Sequence, residues 1–92
     1  MKPQTQKQEV LYLLLKHPGG LTRMDFMNLA YVQNAPEAIR RLRYDDKVAI
    51  HRVDTEKTNK FGRTAVIGRY VLTYRQSARD KYIDMLIQNK KS

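Results

Sequence analysis

No cysteine occurs in these 92 residues, which excludes disulfide bonds and thiolate-held metals and fits a reducing, cytoplasmic setting. There is also no run of about 18 apolar residues, so nothing in the sequence reads as a membrane span. The longest apolar stretch, Val10–Leu15, is six residues, short of the roughly 7–15 that a secretory leader uses, and no signal peptide is expected. Catalytic groupings are missing too. There is no Ser/His/Asp set, no phosphate-cradling glycine loop and no isolated acid pair, so neither an enzyme nor a small-molecule substrate is expected. The two histidines, His17 and His51, lie far apart without a shared acidic neighbour, and Asp45–Asp46 has no further ligands in reach. No cofactor or metal is expected. Acidic residues are scarce: 9 Asp and Glu against 18 Lys and Arg.

That imbalance, a net charge of +9, is the informative quantity. At this size it points to a polyanionic partner. Residues 33–75 hold ten Lys and Arg and five Asp and Glu, so over half the excess sits mid-chain rather than in a basic tail. Apolar residues make up 41 % and charged residues 29 %, an ordinary mixture for one soluble domain spanning residues 1–92. No repeat, linker or low-complexity segment is visible.

Residues 1–4 carry no pattern and are expected to be loose. From Thr5, a candidate N-cap, the spacing predicts a helix to about Lys16, with Val10, Leu11, Leu14 and Leu15 on one stripe. Tyr12 and Leu13 widen the stripe, so the helix should be covered on more than one side. "HPGG" ends it. Thr22 and Asp25 have capping-box spacing and start a second helix, whose buried face is expected to be Phe26, Leu29 and Ala30. After "YVQN" a third helix spans about 35–45, with Asn34 and Glu37 again in capping-box spacing and Pro36 in the first turn.

From Val48 the period becomes two, in "VAIHRVD". A polar loop, residues 55–64, leads to a second alternating run over residues 65–74. Together they predict a β-hairpin. A last helix, about residues 77–90, should bury Ala78, Tyr82, Met85 and Leu86.

Helix, helix, helix, strand, loop, strand, helix is the order, with about four residues between the second and third helices. In "TQKQEVLYLLLKHPGGLT", "PEAIRRLRYDDKVAIHRV" and "GRTAVIGRYVLT" the chain resembles the winged helix-turn-helix family, most closely the small helix-turn-helix proteins of bacteriophages and prophages. The likeness covers about Thr5–Thr73, and Asp45–Asp46 stands where such proteins often have glycine. The fold expected is α+β and mostly α: three helices, a two-stranded β-hairpin wing and a C-terminal helix. The resemblance implies that the wing lies along the DNA backbone or in a minor groove.

On the third helix Ala35, Ile39 and Leu42 should face the core. Glu37, Arg40, Arg41 and Tyr44, at i, i+3, i+4 and i+7, then occupy the opposite face, with Arg43 flanking. Arginine's planar fork suits guanine O6/N7 or a phosphate. Gln33 and Asn34, at the helix start, are placed to meet a base edge or phosphate. The alternative is a solvated surface in which Glu37 pairs with Arg41. In the hairpin loop Lys57, Lys60 and Arg63, with Asn59, suit a phosphate clamp. Phe61 either wedges into nucleic acid or, more commonly for such residues, folds back onto the sheet.

The outer surfaces of the first and last helices, with Tyr12, Leu13, Tyr82, Ile83, Leu86 and Ile87, fit a homodimer interface or packing of one helix on the other within one chain. The reading is a sequence-specific binder of double-stranded DNA, a transcriptional regulator of phage or prophage type. Its alternatives are an excisionase-like architectural factor that bends DNA, or a winged-helix adaptor for an acidic host protein.

Overall fold

The first helix starts where the expected cap stands: the Thr5 hydroxyl accepts the Gln8 N–H at 3.2 Å. In the computed structural model, which describes residues 5–91 and the side chains to residue 88, helix α1 runs Gln6–Lys16. The expectation for residues 1–4 lies outside the described residues. Val10, Leu11 and Leu14 of α1 are fully buried, and Tyr12 and Leu13 are half-buried against the core.

After α1 the structure departs from the expected two-stranded hairpin. Leu21–Thr22 forms a short strand, β1, which pairs with a later strand, and the sheet has three antiparallel strands. Two residues are too few to show a period of two, so nothing in the local pattern announces β1. Gly20 makes this pairing possible. Its φ is +92°, and a Cβ there would meet Val71 Cγ2 at 2.6 Å and the Tyr70 carbonyl oxygen at 2.8 Å. Any other residue would be strained in its backbone and would collide with its neighbours.

Thr22 then caps helix α2, Arg23–Ala30, with both bonds of the capping box formed: Thr22 N–H to Asp25 Oδ2 at 2.9 Å and Asp25 N–H to Thr22 Oγ1 at 3.2 Å. Phe26 is fully buried, but Leu29 is 52 % exposed, contrary to expectation. The next four residues bring in α3, Ala35–Tyr44. At the joint Tyr31 adopts φ 56°, its N–H bonded to the Met27 carbonyl, and the Val32 N–H reaches the Phe26 carbonyl. Such left-handed closure of a helix end is common, though glycine is its usual residue. It turns Val32 fully into the core.

A second glycine-free turn follows α3. Lys47 takes φ 56°, and the Val48 N–H returns to the Leu42 carbonyl at 2.9 Å. Strands β2, Ile50–Thr58, and β3, Thr64–Leu72, pair in register from Ile50 opposite Leu72 to Thr58 opposite Thr64. The sheet order is β1-β3-β2. β2 starts at Ile50 rather than Val48 but runs four residues further than expected, because ladder hydrogen bonds do not require apolar side chains and "TEKT" continues the pairing; β3 ends at Leu72, two residues short of the expected end. Only residues 59–63 remain as the turn.

Helix α4 runs Arg75–Lys91, starting two residues earlier than expected, and packs on α1. Its Ala78, Tyr82, Met85 and Leu86 join Val10, Leu11, Phe26, Ile39, Leu42, Val48, Ile50, Tyr70 and Leu72 in one core. The guanidinium of Arg75 donates to the carbonyls of Leu14 and Leu15, two groups that the end of α1 would otherwise leave unsatisfied. Among the described residues no helix is long and apolar enough to cross a membrane.

The outcome is an asymmetric molecule, 53 × 24 × 21 Å along its principal axes. Residues 51–67 are exposed throughout, so most of the β2–β3 ribbon stands clear of the helical body. From His51 to Thr58 this projection is roughly 25 Å of extended chain.

Candidate functional site

Helix α3 presents the expected two sides. Ala35, Ala38, Ile39 and Leu42 are buried, and Arg40, Arg41 and Tyr44 are exposed. The exposed arginines are not free, however. Glu37 takes the Arg40 guanidinium on both oxygens, Nε to Oε2 at 3.0 Å and Nη2 to Oε1 at 2.7 Å, and accepts Arg41 Nε at 3.3 Å. The expected Asn34–Glu37 capping box is absent, and Asn34 makes no side-chain cap bond. The Glu37 carboxylate, which would have to reach back to the Asn34 N–H, is taken by the two guanidinium groups instead.

The triad's net charge is +1. Bonding to Arg40, then to Arg41, holds the Glu37 carboxyl down at about 2 from an ordinary 4.5. Because the folded value is the lower one, these bonds contribute fully above about pH 4.5 and are lost as pH falls towards 2. Carbon-detected NMR titration of Glu37 is expected to give a midpoint near 2, whereas one near 4.5 would mean that the arginines do not hold the carboxylate in solution. The side chains of Arg40 and Arg41 are 59 % and 61 % exposed, and such surface pairs are exchanged at little cost.

Arg43 is not part of this exposed face. It donates Nε at 3.1 Å and Nη2 at 2.8 Å to the Ile50 carbonyl. That guanidinium ties the last turn of α3 to the first residue of β2, so Arg43 sets where the ribbon leaves the body. A second tie, Lys7 Nζ to Asp46 Oδ2 at 2.7 Å, joins α1 to the turn after α3. Asp46 is thereby an ion-pair partner.

The ribbon holds cations without acidic partners among the described residues: Lys57, Lys60, Arg63 and Arg69. Arg52 is paired with Asp54 at 3.0 Å. Asn59, expected to reach outward, builds the turn instead. Its Oδ1 accepts the N–H of Phe61 at 2.9 Å and of Arg63 at 3.0 Å. Phe61 does not fold back onto the sheet: it is 83 % exposed.

Between the body and the ribbon lies a groove of about 820 Å³. Gln33 and Pro36 from the start of α3, Met24 and Met27 from α2, and Lys57 and Ile67 from the ribbon all line it. The start of α3 and the ribbon, singled out separately in the sequence, therefore share one concave surface. Arg23, Arg52 and Arg69 add charge to its rim, and sequence reading missed all three. For Arg52 and Arg69 the alternation was no guide: it set Arg52 on the side of Val48 and Ile50, which are buried, whereas residues 51–67 are exposed on both faces of the ribbon.

On the far side, Tyr82 and Leu86 are buried within the single chain, and the Tyr12 and Tyr82 rings lie 5.9 Å apart. They complete the core rather than offering an interface. Burial, with Tyr12 adding to it, pushes the Tyr82 hydroxyl above its ordinary pKa. Ile83 and Ile87 alone of the α4 candidates remain substantially exposed, at 36 % and 43 %. Comparison with protein-family models, with curated proteins and with solved structures finds no match to this chain.

Proposed function

We propose that the chain is a winged-helix protein that binds double-stranded DNA sequence-specifically, as a transcriptional regulator of the phage or prophage kind. One observation carries the reading: the start of α3 and a projecting cationic ribbon line a single groove. The order helix, strand, helix, helix, strand, strand, helix, with a four-residue joint between α2 and α3, supports the winged-helix assignment. So does the pairing of a short strand after α1 with the second strand of the ribbon, which lies at the centre of the sheet.

In this reading α3 enters the major groove. Arg40 and Arg41 leave Glu37 and take base edges or phosphates, a change of partner that exposed pairs allow. Gln33 and Asn34 meet the duplex at the helix start, where recognition helices commonly make base contacts. Lys57, Lys60 and Arg63 hold phosphates along the neighbouring backbone and contribute affinity without sequence information. Arg43 acts through position alone, by setting the angle between helix and ribbon.

Selection of bound sites from a random duplex pool tests the whole proposal. A palindromic consensus would indicate two copies on two half-sites, and retention of no duplex at low ionic strength would end the proposal. Lys60→Ala is expected to weaken all sequences alike and to lower the slope of log K against log salt by about one. Titrations at several salt concentrations measure this, and a loss confined to the selected site would assign Lys60 to base reading instead.

A second reading, an architectural factor of the excisionase type, is favoured by the length and exposure of the ribbon. It differs in predicting cooperative loading of tandem copies along the bound duplex.

A further inference from the structure

Phe61 sits in the turn that closes the ribbon, and nothing around it buries the ring. At 83 % exposure it forgoes stabilisation that this fold gives its other phenylalanine, Phe26, in full. Single exposed apolar residues are common on protein surfaces. This one differs in how its backbone is held. Asn59 Oδ1 accepts both the Phe61 and the Arg63 N–H, the Asn59 N–H bonds to the Arg63 carbonyl at 2.9 Å, and the Gly62 N–H bonds to the Asn59 carbonyl at 3.0 Å. Gly62 supplies the positive φ, +85°, that lets five residues close the turn. Just below, the hydroxyls of Thr58 and Thr64 are bonded across the strands at 3.1 Å. The ring is thus carried on a preorganised tip and not on a loose loop.

Charge around the ring selects its partner. Lys60 Nζ lies 5.3 Å from the Phe61 ring centroid, and Arg63 is two residues away. No acidic residue lies in the turn 59–63. A flat apolar ring with one cation at its face and a second two residues along, on a narrow two-stranded support, is complementary to a surface with stacked apolar planes between two anionic rails. Duplex nucleic acid is that surface. Apolar side chains inserted between base steps from the minor groove unstack them and kink the helix.

We propose that Phe61 is a wedge that inserts between two base pairs of the duplex held by the ribbon, unstacking that step and bending the DNA. Lys60 and Arg63 anchor the phosphates on either side and keep the tip seated. The role rests on the duplex-binding reading above and extends it: the ribbon deforms what it holds. The cost of unstacking is smallest at flexible pyrimidine–purine steps. Sequence preference at the wedge site therefore comes from deformability, not from hydrogen bonds to bases.

The chain contains no tryptophan, so Phe61→Trp places a single indole reporter at the tip, where exposure leaves room for the larger ring. With the full chain and a mixed-sequence duplex at low salt, its emission is expected to be quenched and shielded from acrylamide. Closed-circular plasmid relaxed by a topoisomerase in the presence of the protein is expected to change linking number, since unstacking unwinds the helix. That change should be lost in Phe61→Ala and kept in Phe61→Leu, with Phe61→Ala still retaining duplex in gel shifts through its cations. Suppose instead that the wild-type chain retains duplex without changing the linking number, and that emission from the Phe61→Trp variant stays unquenched. That result would overturn the wedge and leave DNA binding standing. If no duplex is retained at all, both proposals fall.

Discussion

Replacing Arg40 and Arg41 together by alanine is expected to cost about 2–6 kcal/mol of affinity for the selected site, taking roughly 1–3 for each bidentate contact. The double variant should bind selected and random duplexes nearly alike, because what remains is the phosphate grip of the ribbon. Glu37 decides how this is read. In the free protein it holds both guanidinium groups, with distances from 2.7 to 3.3 Å, so binding must exchange one set of charge-assisted bonds for another. Glu37→Gln removes the competitor and is expected to act oppositely, tightening binding to every sequence and narrowing the preference for the selected one. Anisotropy titrations of the three proteins, each at two salt concentrations, separate these effects. Equal losses for Arg40/Arg41 and Lys60 variants on both duplexes would remove the division of labour between helix and ribbon. Folding should be little affected, since solvent screens pairs this exposed and they add little to stability.

Phe26→Ala is expected to remove about 3–5 kcal/mol of folding stability. A 92-residue domain has only roughly 5–14 kcal/mol in total, and the melting temperature should fall by about 12–40 °C. Phe26 is the largest fully buried side chain, and it is the one buried residue of α2. It therefore fastens that helix, and through the Tyr31 turn the start of α3, to the body. Leu29→Ala, three residues away, is expected to cost less than about 0.5 kcal/mol because Leu29 is half in solvent. Thermal unfolding followed by circular dichroism measures both. Comparable losses at the two positions would mean that α2 sits differently on the body than described.

That pair of residues also marks where the sequence stopped being informative. Phe26 and Leu29 are i and i+3, a spacing that puts both near one stripe of an isolated helix. Which of them is covered depends on how far α2, only eight residues long, is rotated against α1 and α3. The Thr22–Asp25 capping box was legible because it is local: two side chains and two N–H groups within one turn. The same spacing at Asn34–Glu37 gave no box. Two arginines one turn along offered Glu37 stronger, charge-assisted bonds. Nor could spacing reveal that Arg43, beside two exposed arginines, reaches across to the Ile50 carbonyl.

Ribbon and turn divide in the same way. A change of period after Val48 marked strands, and the cations of residues 57–63 marked a charged surface. The ladder's extension to Thr58 and the outward position of Phe61 depended on pairing and on the Asn59 turn.

What the residues determined by themselves were the quantities that act over one helical turn or less, or over the whole chain at once. These are the apolar stripes of α1, α3 and α4, the cap of α2, the presence of two paired strands after α3 and the net positive charge. Tertiary structure alone decided that Leu21–Thr22 would form a third strand, which arginines would stay exposed and which would brace the fold, and that the start of α3 and the ribbon would line one groove. The physical reason is that pairing partners distant in sequence compete for the same hydrogen bonds and the same buried area. That competition is resolved only when the elements meet.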